Sequence, residues 1–432
     1  MSAAQSSQPV DRWVGVGSST DPDPARAATD AAQQAQAGRR TELVLVFCTA
    51  GLDVTRVLAG ICSVTDDDTR VVGATTMGEI ASGAIEGPFT ATPAPDGATA
   101  RDGATGAPGI HGAPGVTVVA LGGPGFRAAT VVARDASAHR RESGSEAATA
   151  LSSIDLPHRA LLLIADGLTR EQHELVRGAY TTSGAKIPIV GGCSADLAAY
   201  QMTHQFHGTG AGVEILRDSV VGVGFGSTAP LGVGIAHGWR KTGDAMVVTG
   251  SEGGTIYQLD GEPAAQVYLS RIDTGGLGYD EIRALAVSDP QALRDLLFTR
   301  PLGLSRRTGE DLRVVHDIDF ETGTVACLAD VPQGAIAWTM VTDVDSLIEA
   351  AADSCRSSIE ALGGADPLGF VVFDCGARRA TLGPENVLAE QRAMAKIAGD
   401  HPFGGFYTMG EIGRMQGARG MHHLTVVTLA LA

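Results

Sequence analysis

The stretches Thr76-Met-Gly-Glu-Ile80 and Thr408-Met-Gly-Glu-Ile412 repeat five residues in the same order, and the fold prediction starts from them. Each follows a short apolar run that contains glycine: Arg70-Val-Val-Gly73 before the first, and Pro402-Phe-Gly-Gly-Phe406 before the second. Because the flanking segments match as well, chance is a poor explanation. We therefore expect one structural unit to occur more than once in the chain.

Three segments of the chain share one layout, in which an apolar strand, a helical stretch and a second apolar strand are followed by a further strand. Their β-branched runs are continuous rather than alternating, which is typical of strands buried on both faces. Helical stretches between the strands favour crossover connections. We predict an α/β (or α+β) fold whose repeated strand–helix–strand units form large mixed sheets in two related halves. The predicted strands are residues 43–47, 70–73 and 116–121, then 160–164, 187–191 and 220–225, and finally 368–373, 402–406 and 424–431.

Residues 87–115 break this pattern, because they are almost entirely Gly, Pro, Ala, Thr and Asp. So little apolar bulk predicts a flexible insertion on the surface between two strands. A lid over a binding site is the alternative for a loop of this length.

The composition limits the classes of partner and the compartment. A formal net charge of −17 opposes binding to nucleic acid or to an anionic membrane, because both need a basic surface. No stretch approaches the roughly 20 apolar residues of a membrane helix, and the first residues lack the layout of a signal peptide. The six cysteines form no CxxC pair, which favours reduced thiols. We predict a cytoplasmic protein that binds neither nucleic acid nor membrane.

The motifs resemble those of the FIST domain, over a region from about residue 13 to residue 431. A histidine, His423, stands where that family often has asparagine. The resemblance implies a FIST N-terminal domain at 13–226 and a FIST C-terminal domain at 227–432, with 1–12 as a disordered N-terminus. The stretches that carry the resemblance are Val72-Gly-Ala-Thr-Thr-Met-Gly-Glu-Ile80, Gly405-Phe-Tyr-Thr-Met-Gly-Glu-Ile412, Val14-Gly-Val-Gly-Ser-Ser-Thr20 and Ile256-Tyr-Gln-Leu-Asp-Gly-Glu-Pro-Ala264.

The same resemblance implies a sensory function. FIST domains are thought to bind small ligands, amino acids among them, and to act on signalling proteins. Since the sequence shows no kinase or cyclase module after the last strand, we expect such a partner to act in trans. Some members are haem-binding nitric oxide sensors, so haem is a cofactor that the resemblance alone suggests.

Two strand ends supply the candidate ligand-binding residues. Ligands of open α/β sheets bind outside the carboxyl ends of strands, and glycine there lets the backbone approach a ligand. Carboxylates, hydroxyls and an arginine together suit an amino acid or a similar zwitterion. The alternative is a purely structural turn, in which glycine supplies the φ angle and Glu caps neighbouring backbone groups. The candidates are Thr75, Thr76, Gly78, Glu79, Tyr407, Thr408, Gly410, Glu411, Cys375 and Arg378.

Enzyme and scaffold functions remain alternatives to the sensor. An enzyme acting on small metabolites would use Glu79 or Glu411 as general base, or Cys193 as nucleophile, but no partner base accompanies Cys193 in the sequence. Phosphate-binding and nucleophile-elbow motifs are missing, so the sequence favours a sensor over an enzyme. His204 and His207 imply no third metal ligand, and we predict no metal site. A protein-interaction scaffold with a vestigial pocket is the third possibility.

Overall fold

The computed structural model describes residues 12–82, 114–169, 171–197, 201–306, 309–415 and 420–432. The predicted disordered N-terminus at 1–12 and the predicted insertion at 87–115 therefore lie outside the described residues, apart from residues 12, 114 and 115. None of the helices in the described ranges has the length and apolar character needed to cross a membrane.

Helices and strands follow one another along the described chain. The helices are α1 (Pro24–Gln36), α2 (Val54–Cys62), α3 (Arg140–Ala148), α4 (Gln172–Ser183), α5 (Ala264–Arg271), α6 (Tyr279–Ser288), α7 (Pro290–Phe298), α8 (Val344–Glu360), α9 (Gly376–Leu382) and α10 (Pro384–Ala398), with a short 3-10 helix at Thr149–Ser153. The strands are β1 (Trp13–Ser19), β2 (Leu43–Thr49), β3 (Arg70–Thr76), β4 (Glu79–Ala81), β5 (Val116–Gly122), β6 (Phe126–Ala133), β7 (His158–Ala165), β8 (Ile189–Cys193), β9 (Gln205–Thr209), β10 (Gly212–Leu216), β11 (Val220–Ser227), β12 (Leu231–Ala236), β13 (Arg240–Glu252), β14 (Thr255–Leu259), β15 (Glu262–Pro263), β16 (Leu302–Arg306), β17 (Gly309–Arg313), β18 (Val315–Asp319), β19 (Thr324–Cys327), β20 (Ile336–Val341), β21 (Gly369–Cys375), β22 (Phe403–Thr408), β23 (Glu411–Arg414), β24 (Met421–His422) and β25 (Val426–Leu431).

Three sheets have the same internal order. They run β1-β5-β2-β3-β9-β10, β6-β11-β7-β8-β23-β24 and β12-β25-β21-β22-β4. The third and fourth strands of each sheet are parallel and are joined by helical segments, because parallel neighbours need a crossover connection. Their other neighbours are antiparallel. The predicted α/β fold with repeated units and large mixed sheets is confirmed.

The fifth strand of each sheet comes from a different repeat unit. We define unit 1 as residues 13–122, unit 2 as 126–227, and unit 3 as 231–236 together with 344–431. Strand β4 of unit 1 pairs with β22 of unit 3, β23 of unit 3 pairs with β8 of unit 2, and β9 of unit 2 pairs with β3 of unit 1. The three units thus exchange strands in a closed cycle, and we call β4, β9 and β23 the exchange strands.

The inner faces of the three sheets share one apolar core. Phe406 of unit 3 contacts Phe47 of unit 1, with ring centroids 4.6 Å apart, and also contacts Phe373, at 5.7 Å. The second parallel strand of every unit passes so close to the first that only glycine fits at one position. The glycines, each with the carbonyl oxygen that an added Cβ would meet, are Gly73 with Val46 at 1.9 Å, Gly191 with Leu163 at 1.9 Å and Gly405 with Val372 at 1.7 Å.

Residues 240–341 form a further subdomain, inserted between β12 and α8, where units 1 and 2 have only short connections. Its sheet, β17-β16-β20-β13-β14-β19-β18, carries β15 beside β14, and its own core includes Tyr268, Leu297 and Val325. A small apolar cluster joins this inserted subdomain to unit 3, and Trp239, Leu312 and Leu424 belong to it. The predicted domain boundary after residue 226 falls at the end of β11 and stays a prediction.

Candidate functional site

The two Thr-Met-Gly-Glu loops lie where the chain leaves one unit and enters the sheet of another. The amide of Met77 donates to the carbonyl of Tyr407 (3.1 Å), and the amide of Met409 donates to the carbonyl of Cys193 (3.2 Å). The third such bond joins Ala195 to Thr75 (2.8 Å). Unit 2 therefore has the same crossover, although its sequence differs from the motif.

Return hydrogen bonds complete these crossovers. Tyr407 donates its amide proton to the carbonyl of Gly78, and Cys193 donates to the carbonyl of Gly410, both at 2.9 Å. Gly78 and Gly410 each have φ of 133°, a backbone conformation that strongly favours glycine. The motif thus forms the same glycine turn at two of the three crossovers, which agrees with the structural alternative for its repetition, whereas unit 2 makes its crossover with a different sequence.

The threonine and the glutamate of each loop close the turn together. A hydrogen bond of 2.6 Å joins Thr76 Oγ1 to Glu79 Oε1, and one of equal length joins Thr408 Oγ1 to Glu411 Oε1. The threonine hydroxyls also accept the amide protons of Gly78 (3.1 Å) and Gly410 (3.2 Å). Thr75 lies on β3 beside this turn and is itself buried.

Glu411 is fully buried, with 0% of its surface exposed. Its second oxygen accepts hydrogen bonds from the amide (3.1 Å) and the hydroxyl (2.9 Å) of Thr425. Burial raises the pKa of Glu411 to about 8, although these hydrogen bonds oppose the shift. Glu411 is therefore mainly protonated at neutral pH. A ligand contact at Glu411 stays a prediction.

Glu79 occupies the equivalent position in unit 1 but is partly exposed. Its carboxyl group accepts hydrogen bonds from the hydroxyl of Thr49, at 2.9 and 3.1 Å, in addition to the bond from Thr76. Burial raises the pKa of Glu79 to about 7, while the hydroxyl hydrogen bonds and the charge of Arg379 act in the opposite direction. At neutral pH this carboxyl group is divided between its two protonation states.

Arg379 faces the same loop from unit 3. It donates a hydrogen bond from Nη1 to the carbonyl of Met77, and its guanidinium carbon lies 5.1 Å from the ring centroid of Tyr407. The side chain is partly exposed, and a Cβ added at Gly78 would lie 2.1 Å from its Nη1. Glu79 and Arg379 thus place a carboxyl group and a guanidinium group on one seam between units 1 and 3, which we call the Glu79–Arg379 seam.

Arg378, the neighbouring residue, points inward and binds groups of its own chain. Its Nε donates to Asp374 Oδ1 (2.8 Å) and its Nη2 donates to Glu390 Oε1 (2.7 Å). The Tyr407 hydroxyl donates to the other oxygen of Glu390 (3.0 Å). Arg378 also donates to two backbone carbonyls and has no exposed surface. Contacts of Arg378 and Tyr407 with a ligand stay predictions.

The buried network around Arg378 holds two carboxyl groups. Burial raises the pKa of Glu390 to about 8 and also raises the pKa of Asp374. The nearby charge of Asp374 also raises the pKa of Glu390, so Glu390 holds a proton at neutral pH. One guanidinium charge then balances one carboxylate charge, as burial of ionised groups requires.

The candidate cysteines lie in apolar surroundings. Burial and the nearby charge of Glu411 both raise the thiol pKa of Cys193 and that of Cys375 well above the ordinary value. A nucleophilic cysteine needs a stabilised thiolate. This environment therefore disfavours the enzyme alternative that uses Cys193.

The described part of the chain contains no group of three or more His, Cys, Asp or Glu side chains arranged to hold a metal ion. His204 hydrogen-bonds with Arg217 (3.2 Å) and His207 with Thr130 (2.9 Å), so the two rings have separate partners. A haem would need an axial ligand beside a cavity. The surface cavity beside β2 and β3 and the cavity among the three sheets are lined without His, Cys, Met or Tyr, so they do not fit haem.

A surface cavity of about 650 Å³ lies at the opposite ends of the strands from these loops, beside the start of β2 and β3. Arg40 and Asp68 of its lining form an ion pair at 2.7 Å, and Gln36 is hydrogen-bonded within the chain. A second cavity, on the axis of the three sheets, is lined by apolar side chains and has room for about one water molecule (10 Å³). Neither includes a predicted site residue.

Sequence reasoning missed Arg379 and Thr49. Asp374 on β21 binds Arg378 on α9, and this acidic residue four positions before the arginine could have indicated that Arg378 faces inward and Arg379 does not. The parallel register of β2 and β3 places Thr49 opposite Thr76, but a register between strands cannot be read from local periodicity.

Proteins similar to this chain occur in two named organisms. An uncharacterized protein of Methanocaldococcus jannaschii is 27% identical over 173 residues, which is 40% of this chain and 33% of that protein. An uncharacterized protein of Mycobacterium tuberculosis, found in the strains CDC 1551 and H37Rv, is 26% identical over 223 residues, 49% of this chain and 53% of that protein. The chain spans about a third to a half of the length of these relatives.

Family comparison covers more of the chain. Residues 42–262 match the FIST N domain, and residues 264–414 match the FIST C domain. The two matches adjoin and together include most of units 1 to 3 and the inserted subdomain. The chain belongs to the FIST family.

Proposed function

We propose that the chain is a sensor of a small zwitterionic ligand, an amino acid or a related metabolite, and that the ligand binds at the Glu79–Arg379 seam. FIST domains are associated with signal transduction and small-ligand sensing. The observation that carries the proposal is a partly exposed carboxyl group beside a partly exposed guanidinium group, on either side of Gly78. A carboxyl group and a guanidinium group are the partners that suit the ammonium and the carboxylate of an amino acid.

In this proposal the ligand ammonium binds Glu79 and the ligand carboxylate binds Arg379. Among the described residues, the side-chain donors to Glu79 are the neutral hydroxyls of Thr49 and Thr76, so an ammonium group adds a cation in direct contact with the carboxylate. Arginine can hold a carboxylate through two parallel hydrogen bonds. Occupancy therefore favours the ionised form of Glu79 and draws Arg379 toward the ligand.

In this proposal, a ligand at the Glu79–Arg379 seam affects the hydrogen bonds by which units 1 and 3 exchange strands. Arg379 donates to the carbonyl of Met77, whose amide forms the crossover bond to Tyr407. A ligand that competes for Arg379 weakens its hydrogen bond to the Met77 carbonyl, which lies beside the crossover. The ligand then shifts the equilibrium between two conformations of the protein to the extent that it binds them with different affinities. We propose that a signalling protein of the kinase or cyclase class reads this change in trans, in the cytoplasm.

Thermal melting against a panel of amino acids tests the proposal, with Glu79→Gln as the variant and Glu411→Gln as the matched control. The two residues occupy equivalent loops, but only Glu79 is partly exposed. At a hundredfold excess over the dissociation constant, a ligand stabilises the native state by about 2.7 kcal/mol. We expect a stabilising amino acid for the wild type and for Glu411→Gln, and no response in Glu79→Gln.

Two results would contradict this proposal: no amino acid stabilises the wild type, or Glu79→Gln responds as the wild type does. An absorption spectrum recorded before melting addresses the haem alternative, because bound haem gives a Soret band. Glu411 and Cys193 are buried and protonated, so no observation at those residues favours the enzyme alternative.

A further inference from the structure

The surface cavity beside the starts of β2 and β3 has no part in the proposed sensor. Its lining comes from residues 33–40, around the end of α1, and from residues 64–68, in the connection between α2 and β3, and we call it the α1 cavity. Its volume is about 650 Å³. Small-molecule sites occupy roughly 300–1,000 Å³, so the α1 cavity is large enough for a small organic ligand.

Contacts within the chain hold the two walls of the α1 cavity together. The Gln36 side chain donates from Nε2 to Thr65 Oγ1 (3.2 Å) and to the carbonyl of Val64 (3.3 Å). Arg40 on one wall and Asp68 on the other form an ion pair at 2.7 Å. The cavity is therefore formed by the chain itself, and a ligand does not have to order its walls, which favours binding.

Arg39 is a cation of this lining that has no carboxylate partner in the described part of the chain. Its guanidinium carbon lies 3.8 Å from the ring centroid of Trp13, and its Nε donates to the carbonyl of Gln36 (3.3 Å). These two contacts orient the guanidinium group and leave its two Nη groups without a hydrogen bond to the described residues. An oriented guanidinium fork loses little conformational freedom when it binds an anion.

A carboxylate and an amide line the same cavity and are also unpaired. The side chains of Asp66 and Gln33 are exposed and make no hydrogen bond or ion pair within the described ranges. The backbone carbonyl of Asp66 accepts the amide proton of Thr69 (3.0 Å), which fixes the turn that carries this carboxylate. The α1 cavity thus presents a cation, a carboxylate and an amide that a ligand can pair with.

We propose that the α1 cavity binds a small organic anion that carries hydroxyl groups, of the sugar-phosphate or sugar-acid class. The phosphate or carboxylate group binds Arg39, because a guanidinium group can hold either one through two parallel hydrogen bonds. The hydroxyl groups donate to the Asp66 carboxylate and exchange hydrogen bonds with the Gln33 amide. An anion without hydroxyl groups leaves Asp66 unpaired, and a neutral sugar leaves Arg39 unpaired, so both parts of the ligand contribute to its affinity.

The α1 cavity lies at the opposite ends of the strands from the Thr-Met-Gly-Glu loops. Its lining includes neither Glu79 nor Arg379. The proposal therefore does not depend on the proposed sensor, and a ligand of the α1 cavity need not be the ligand that is sensed at the Glu79–Arg379 seam.

Isothermal titration of the full chain at constant ionic strength tests this site, with gluconate and with glucose phosphorylated on its terminal carbon as the probes. We expect the wild type to bind at least one of them more tightly than it binds glucose or inorganic phosphate. Arg39→Gln should weaken this binding by roughly tenfold or more, because charge-assisted hydrogen bonds are lost. The matched control is Arg56→Gln, which should bind as the wild type does, because Arg56 pairs with Asp23 outside the cavity.

Asp66→Asn tests the contact with the hydroxyl groups. Removal of a negative charge can strengthen the binding of any anion, so the quantity to compare is the affinity for the phosphorylated sugar divided by the affinity for inorganic phosphate. This ratio should fall in Asp66→Asn, because the amide is a weaker acceptor for the hydroxyl groups than the carboxylate. Arg39 and Asp66 are exposed, so both variants should melt near the wild-type temperature without ligand.

The proposal is overturned if neither hydroxylated anion binds the wild type, if Arg39→Gln binds with the wild-type affinity, or if Asp66→Asn leaves the affinity ratio unchanged. Tighter binding of the phosphorylated sugar or of gluconate identifies the anionic group that Arg39 prefers. Glu79→Gln should keep the affinity of the α1 cavity, so the two proposed sites can fail separately.

Discussion

The amide of Met77 donates a 3.1 Å hydrogen bond to the carbonyl of Tyr407, which joins the first repeat unit to the last. The same bond recurs between Met409 and Cys193 and between Ala195 and Thr75. Each unit therefore completes the sheet of another, and each of these three sheets takes strands from two units. This relationship explains why the Thr-Met-Gly-Glu motif repeats and why most of its side chains are buried.

The cyclic exchange predicts that the three units do not fold separately. A fragment of residues 12–227 lacks β23, which pairs with β8, and lacks β22, which pairs with β4. Two strand edges that are paired in the full chain would then be exposed. We expect this fragment to lack a cooperative thermal transition by circular dichroism. A sharp transition comparable to that of the full chain would show that the exchange is dispensable.

Gly405→Ala should destabilise the protein strongly. The added Cβ would lie 1.7 Å from the carbonyl oxygen of Val372, which is backbone and cannot rotate away. Overpacking of this kind costs about 3 kcal/mol or more. The control is Gly212→Ala on the edge strand β10, where no atom lies within 4 Å of the added carbon. Urea denaturation compares the two, and equal stability of the variants would contradict the close approach of β21 and β22.

Arg378→Met should also lower stability, because it leaves two buried carboxyl groups without their cation. Removal of one partner of a buried ion pair costs about 3–5 kcal/mol. Arg356→Met is the control, because Arg356 pairs with Glu349 and Asp353 on the surface. This variant should melt near the wild-type temperature. If Arg378→Met retained wild-type stability but lost a ligand response, Arg378 would belong to a binding site instead.

Stability should fall as pH rises from 6.5 to 8. The folded-state pKa values of Glu79 (about 7), Glu390 (about 8) and Glu411 (about 8) lie above the ordinary value of 4.5. The folded state therefore binds protons that the unfolded state has released, and this contribution to stability is lost as pH rises toward the folded pKa. Each of the two glutamates with a pKa of about 8 should contribute roughly 1 kcal/mol or more over this interval.

Below pH 6.5, buried histidines change the stability in the opposite direction, so that stability rises with pH. Burial lowers the pKa of His423 to about 4 and also lowers the pKa of His422 and His237. Because these histidines stay neutral in the folded state, stability rises as pH increases from 4 to 6.5, and their effect on its pH dependence ends above pH 6.5.

Melting curves of the wild type and Glu411→Gln across pH 6 to 8 test whether stability falls as pH rises, as the glutamates predict. The variant should show the smaller decline, and a stability that increases with pH over this interval would contradict the assignment.

Local patterns in the sequence predicted the repeats, the buried strands and the fold class. They could not predict which unit receives each exchange strand, because the pairing of β4 with β22 joins segments far apart in the chain. The crossover of unit 2 could not be recognised from its sequence, because Ser194 and Ala195 stand where the other units have threonine and methionine. The sequence also did not separate the inserted subdomain from unit 3, because its strands have the same apolar character.

The candidate site was predicted in part. The partly exposed Glu79 was among the candidates, but its counterpart Glu411 has the same local sequence and is buried. This difference arises from the surrounding units and not from the motif. Arg379 was missed because adjacent arginines at the start of a helix differ only in the direction that helix phase gives them. Tertiary packing therefore decides which of two equivalent residues can meet a ligand.

The most direct test of the proposed sensor is calorimetric titration of an amino acid that stabilises the protein, in two buffers of different ionisation enthalpy at pH 7. Because Glu79 has a pKa of about 7, it is about half protonated there, and an ammonium group bound against it should release about half a proton per ligand. We predict this release for the wild type and for Glu411→Gln. Binding with no proton release in the wild type, or with equal affinity and release in Glu79→Gln, would contradict a site at the Glu79–Arg379 seam.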